Sequence, residues 1–240
     1  MSATAAKRPT ALLANLAVAT LLVEAAIVYI AVATPADVNL GIVQKIFYFH
    51  VGTAFAMLLS LVAGAALSGL DLVSPSDRVD AAARACIEVG VVFGAMLLVS
   101  GPLWARKSWG MYWTWEPRLT LSLLVVLLAV SVLILRGLAG DSATGRRVGA
   151  SLAVLAAPAS ALIHLAVKLW GGNHPSVLQG GGIQSAEMRI AFWMAVAGLL
   201  SFAATLVAVR FRSLRLQQRV DALELDLSAL ALRRAAKGDA

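Results

Sequence analysis

Six runs of twenty or more residues, nearly free of charge, punctuate the chain: 11–33, 42–69, 84–103, 119–138, 148–170 and 189–209. About twenty apolar residues are what a helix needs to cross a bilayer. Inside lipid the backbone must satisfy its own hydrogen bonds, which restricts runs of this length to helices. Composition agrees: 60% of the 240 residues are apolar and 14% charged, against about a quarter charged in a water-soluble domain. The expected fold is all-α: a polytopic membrane protein with six transmembrane helices. The first run, about 23 residues, follows Lys7 and Arg8. A cleavable leader has an apolar core of only about 7–15 residues, so this run is read as an uncleaved first span.

Orientation follows from the basic residues. With the N-terminus inside, the inner segments are 1–10, 70–83, 136–147 and 210–240. Lys7, Arg8, Arg78, Arg84, Arg136, Arg146 and Arg147 lie in or beside them, with seven more after the last span, so 14 of the 20 Lys and Arg fall inside. Cytoplasmic loops carry such an excess, and both termini are expected in the cytoplasm. After the last span, Leu214, Leu216, Val220, Leu223, Leu227 and Leu230 recur mostly three and four apart. That is the period of an amphipathic helix, which would either continue the sixth span or lie on the membrane surface. The expected division is a membrane domain over 1–211 and a cytoplasmic amphipathic tail over 212–240.

Several chemistries are excluded. A single cysteine, Cys86, allows no internal disulfide, CxxC or CxxCH element. No GxGxxG, Walker or HExxH pattern occurs, and no basic stretch carries the interleaved aromatics of a nucleic-acid site. Glu24 in the first span and Glu88 in the third are intramembrane acids. Such groups cost several kcal/mol unless paired or hydrated, so both are read as helix-packing or subunit contacts, the alternatives being a polar path and, for Glu88, a place near the inner interface in reach of water.

The most informative stretch is GPLWARKSWGMYWTWEPRLTLSL, between the third and fourth spans. It holds Trp104, Trp109, Tyr112, Trp113 and Trp115, so four of the six tryptophans fall within 12 consecutive residues. Interfacial anchoring explains one or two aromatics at a span's end, not this density. Indole rings offer wide apolar faces to a planar ligand. Arg106, Lys107 and Arg118 add cations, and arginine can grip a carboxylate with two parallel hydrogen bonds. The combination suits a large, flat, apolar molecule with an anionic edge. Two of the three histidines, His50 in KIFYFHV and His174 in WGGNHPS, fall on the same outer side as this stretch. His164 lies about ten residues deeper along the fifth span than His174, roughly 15 Å if helical; it is read as a hydrogen-bonding interior residue too far inside to pair with the other two, with support behind a ligand or a part in ligand transit as the alternative.

WGMYWTWEPRLT resembles the tryptophan-rich WWD signature, WGxxWxWDxRLT, of the haem-handling proteins of cytochrome c assembly. Trp109, Gly110, Trp113, Trp115, Arg118, Leu119 and Thr120 match it; Glu116 stands where the family usually has Asp. CcmF and CcsA proteins share the loop but are longer, so six spans in 240 residues resemble the CcmC type best. GGNHPS departs from the aromatic-rich WWxTLHQ more usual around the second histidine. The resemblance implies haem b, bound transiently at the periplasmic face of the bacterial inner membrane by a loop over 101–120. Its implied site comprises Trp104, Trp109, Tyr112, Trp113, Trp115, Glu116 and Arg118, with His50 and His174 as axial iron ligands. It implies delivery to a CcmE-type periplasmic chaperone, alongside CcmA- and CcmB-type transporter subunits and a single-span CcmD-type subunit in the lipid bilayer. That role is an assembly factor's rather than a conventional enzyme's, with no nucleic acid involved. A membrane b-type cytochrome and a permease for another amphipath are the alternatives.

Overall fold

The computed structural model describes residues 9–37, 39–140, 142–174, 183 and 185–238; Lys7, Arg8, Pro175 and Ser176, used above, lie outside them. Its helices are α1 (Pro9–Ala33), α2 (Ile46–Val73), α3 (Asp77–Trp109), α4 (Pro117–Ala139), α5 (Ala143–Val154), α6 (Ala156–Trp170) and α7 (Ala186–Gly238). A short 3-10 turn, Ile42–Lys45, leads into α2. Six spans are long and apolar enough to cross a membrane, with α5 and α6 forming one of them. The described residues contain no strand, only an isolated bridge between Asp37 and Gly41.

Helix boundaries reach further than the apolar runs. α3 begins at Asp77, seven residues before the expected start, and ends at Trp109 rather than 103. Hydropathy detects contact with lipid, whereas a helix continues until something stops it. Here the stop is Gly110 in the left-handed region, φ 76°, a conformation glycine adopts without steric cost. α4 starts at Pro117, where the missing N–H of proline loses nothing. The stretch expected as a loop over 101–120 is therefore helical at both ends, and only residues 110–116 connect the helices. The fifth span is likewise not one continuous helix. Pro158 cannot donate to the carbonyl of Val154, and the helix breaks at Leu155, whose amide reaches Leu152 O at 3.2 Å instead.

α2 is the central helix, flanked by α3 and α7 and covered by α5 and α6; α4 packs on α3, α5 and α6. Its buried face is Ala56, Met57, Ser60, Leu61 and Ala65, in one cluster with Phe93 and Ile87 of α3 and Val125 and Ala129 of α4. α1 lies outermost, against α7. Small residues let membrane helices approach closely, and α1 buries Ala19 and Ala26 completely. Glu24 is exposed on α1. Glu88 is paired, with Arg210 of α7 donating to Glu88 Oε1 at 3.0 Å and to Oε2, so this acid joins α3 to α7.

The end of the bundle away from the tryptophans is tied by charge. Arg146 donates to both carboxylate oxygens of Asp71, at 2.8 and 2.6 Å, and to Asp77 at 2.8 Å. Arg136 donates to Asp80 at 2.7 Å, with both side chains almost wholly buried. These bonds link α2, α3, α4 and α5. Removing one member of a buried pair leaves an uncompensated charge. Asp80→Ala is expected to destabilise the bundle by about 3–5 kcal/mol, read as a lowered Tm in detergent. Asp80→Leu with Arg136→Met should recover most of that loss.

Candidate functional site

The opposite end of the bundle opens into a cavity of about 340 Å³ among α2, α3, α4 and α6, closed on one side by Phe192 of α7. That size lies within the range of small-molecule sites, about 300–1,000 Å³. Six of the nine residues expected at a site line it: His50, Trp104, Trp109, Trp113, Arg118 and His174. Tyr112 and Trp115 do not; they are 58% and 76% exposed, and Arg106 stands 5.7 Å from the Tyr112 ring centre. Glu116 also faces elsewhere, as described below. Among the described residues the lining includes two cations, Arg118 and Lys168, and no carboxylate.

The tryptophans do not form a flat platform. Trp104 and Trp109 cross at 86° with centres 5.6 Å apart, and Trp113 meets Trp115 at 76° and 5.9 Å. Edge-to-face contact is the favourable arrangement for paired rings. Trp104 and Trp109 thus give the cavity two walls at right angles, whereas of the second pair only Trp113 borders it. Trp104 is fixed further by its Nε1, 3.4 Å from Gln44 Oε1. Trp113 Nε1 is buried without an acceptor among the described residues, a polar demand the chain leaves unmet.

His50 is held in one protonation pattern. Ser100 Oγ donates to Met96 O at 2.8 Å, so its oxygen accepts from His50 Nδ1, 2.9 Å away. The proton therefore sits on Nδ1, and Nε2 keeps its lone pair. A partner on one ring nitrogen setting the role of the other is the usual device at metal-binding imidazoles. Gly101 supports the same ring: a Cβ there would stand 3.1 Å from His50 Cε1.

His174 is held the opposite way. Its Nδ1 lies 3.0 Å from Arg118 Nη1, and a guanidinium only donates, so Nδ1 is the acceptor. Arg118 also donates to Ile163 O at 3.3 Å and His164 O at 3.4 Å, tying α4, α6 and the following loop together.

Similarity to known proteins converges on one family. The family model described as heme exporter protein C matches residues 2–226. The chain belongs to this CcmC family. Its relatives include the heme exporter protein C of Bradyrhizobium diazoefficiens, 30% identical over 214 residues, covering 88% of this chain and 81% of that protein. The Escherichia coli K12 protein of the same name is 29% identical over 180 residues, 75% of this chain and 74% of the relative. The Haemophilus influenzae one is 27% identical over 185 residues, 74% of each.

Within this CcmC chain, Glu116 has a definite place. Its Oε2 accepts from the Asn173 amide at 2.6 Å and lies 3.0 Å from where a Cβ on Gly172 would be. Gly172 has φ 143°, a region open mainly to glycine, so the loop turns tightly around the carboxylate. The extra methylene relative to aspartate thus reaches the backbone beside His174. His164, expected deeper than the other two, lines the same cavity as His50 and His174. The cavity runs down beside α6, so a residue nearly two turns below the helix end still borders it. Ser100 and Lys168 were not singled out from the sequence. Lys168 lies one turn from His164, a spacing that places both on one helix face, while nothing local marks Ser100, fifty residues from the histidine it orients.

Glu116→Asp should withdraw the carboxylate from Asn173. A hydrogen bond to a charged group is worth about 1.5–3 kcal/mol. Deuterium exchange at the Asn173 amide is expected to quicken roughly tenfold in a peptide covering 171–174, with exchange in α2 unchanged.

Proposed function

We propose that the cavity binds haem b transiently at the periplasmic face of the inner membrane and passes it to a CcmE-type chaperone. Family membership makes the chain a multi-pass membrane protein of haem handling in cytochrome c biogenesis. The observation that carries the finer reading is the convergence of three imidazoles, two cations and three tryptophans on one apolar cavity, with His50 and His174 as the axial candidates. Haem iron takes imidazole ligands, its ring suits indole walls, and its propionates suit Arg118 and Lys168. Among the described residues no group of three His, Cys, Asp or Glu could hold a bare ion. A ligand that brings its own four equatorial nitrogens needs only axial donors from the chain.

The two axial candidates differ in readiness. His50 has its Nε2 lone pair available, because Ser100 holds the proton on Nδ1. His174 must first loosen from Arg118 before a proton can move to its Nδ1 and free Nε2. Trp104, Trp109 and Trp113 confine the ring, Tyr112 and Trp115 stand outside as a surface for the receiving chaperone, and Glu116 fixes the loop that carries His174. Positioning of this kind can supply much of a transfer barrier without acid–base chemistry. The excess of Lys and Arg toward the other end of the bundle supports a periplasmic cavity and cytoplasmic termini. CcmA-, CcmB- and CcmD-type subunits are the partners this role calls for.

The test is an absorption spectrum of purified protein, as isolated and after dithionite. Wild type is expected to show a Soret band with low-spin features. His50→Ala should lose most bound haem, and His174→Ala should retain a five-coordinate, high-spin fraction. Ser100→Ala should weaken haem binding about tenfold, the low end of what loss of an outer partner costs a metal site. Unchanged spectra in both histidine variants would sink the ligand assignment. Haem held tightly and stoichiometrically through repeated exchange with apo-chaperone would favour a b-type cytochrome instead.

A further inference from the structure

The tail of α7 carries a seam that the haem site does not use. From Leu216 the apolar residues Val220, Leu223, Leu227 and Leu230 follow at spacings of four, three, four and three. All five are exposed by 52% to 65%. This alternation is the a/d pattern of a two-stranded coiled coil, with Leu216, Leu223 and Leu230 at d and Val220 and Leu227 at a. The face that holds α7 to its own bundle is a different one. Leu214 is buried against Ala81 and Ala85 of α3, and Gln218 Nε2 donates to Asp77 O at 3.1 Å. At 100° per residue, Leu214 and Gln218 point nearly opposite to the seam, which therefore looks away from the chain into open space.

We infer that this seam pairs with the same seam of a second copy of the chain, forming a parallel two-stranded coiled coil beyond the membrane. Two observations select that occupant. The helix is continuous with the last span, so two copies inserted the same way must present parallel tails. In a parallel pair, each g residue faces the e residue five positions on in its partner. With the seam at these positions, Arg219 is g and Glu224 is e, and Arg219 of each copy meets Glu224 of the other, twice by symmetry. The next g position, Asp226, meets Ala231 and raises no like-charge contact. Val220 at a with leucine at every d is also the two-stranded preference, while the second a position is Leu227.

The seam from Leu216 to Leu230 spans about 21 Å, short for an isolated coil. Confinement of both copies to one membrane raises their effective concentration, which a short seam needs. The match to the heme exporter protein C family ends at residue 226, whereas the seam continues to Leu230.

Cysteine cross-linking of the full chain in its own membrane tests this, with Cys86→Ser as background. Leu223→Cys, at d, is expected to form a disulfide-linked dimer about tenfold more readily than Ser228→Cys, which lies on the opposite face. Adding Arg219→Glu to Leu223→Cys should cut that yield about fivefold, since it places two carboxylates together. Adding Glu224→Arg as well should restore it, because the swap recreates the pair only if the partner is another copy. Equal yields at 223 and 228, or no rescue by the double swap, overturn the proposal. A cross-link from 223 to a different polypeptide overturns it in favour of another partner helix. Immersion of a spin label at 223 in the bilayer overturns it in favour of a membrane-surface helix.

Discussion

Backbone polar groups have no partners in lipid, and that constraint organises everything else in this chain. Each span is helical, so irregular backbone with free donors and acceptors gathers at the two ends of the bundle, apart from the break at Leu155, whose amide still reaches Leu152 O. At one end, α3 stops at Gly110 and α4 restarts at Pro117, which leaves only seven connecting residues. A connection that short keeps Trp113 near the tips of both helices, beside Trp104 and Trp109 on α3. The density of tryptophan in the sequence thus becomes density in space because helix ends, not a long loop, carry it. α2 then provides the floor: the same helix that buries Leu61 and Ala65 in the core turns His50 toward the cavity near its start.

The two ends divide the charges between them. Asp71, Asp77 and Asp80 are matched to Arg136 and Arg146 within the chain, so that end is closed by its own ion pairs. The cavity end has Arg118 and Lys168 and no acid in its lining. Glu116 is near in sequence, but its Oε2 is held by the Asn173 amide, so it organises the loop rather than neutralising the cavity. The result is an apolar volume with a positive margin, matched to a ligand that is itself apolar with a negative margin. Cations in such surroundings act at lower effective dielectric than at an open surface.

Much of this was legible in the sequence because membrane burial writes long, uniform apolar runs. The six spans and the tryptophan cluster are of that kind. The tail was legible by another signal, the helical recurrence of its leucines, and α7 runs on through it as one 53-residue helix; the polar first turns of α3 carry no apolar run, so hydropathy left them out. Within the site, the motif marked the region but not which rings turn inward: Trp113 lines the cavity and Trp115, two residues on, is largely exposed, a difference set by the irregular backbone of 110–116 and not by strand alternation, which would put both on one side. That His164 borders the same cavity was not legible, because depth along one helix says nothing about which way a cavity runs. Ser100 is out of reach of any local pattern, since its role depends on α2 and α3 packing in one particular register.

In the proposed role, the unequal histidines bear on release. If both imidazoles presented free lone pairs, coordination would add two strong iron bonds with nothing to offset the second. Here the second bond forms only at the expense of the Arg118–His174 hydrogen bond, a charge-assisted contact worth about 1.5–3 kcal/mol. That difference lowers net affinity by a factor of roughly 10–100 at 1.4 kcal/mol per decade, without altering the cavity that selects the ligand. It would also give departure a direction: Arg118 would recapture His174 and leave His50 as the remaining donor, on the side of the cavity away from the His174 loop. Selectivity then rests on the cavity walls and the cationic margin, and reversibility rests on one guanidinium shared between a histidine and the backbone of α6.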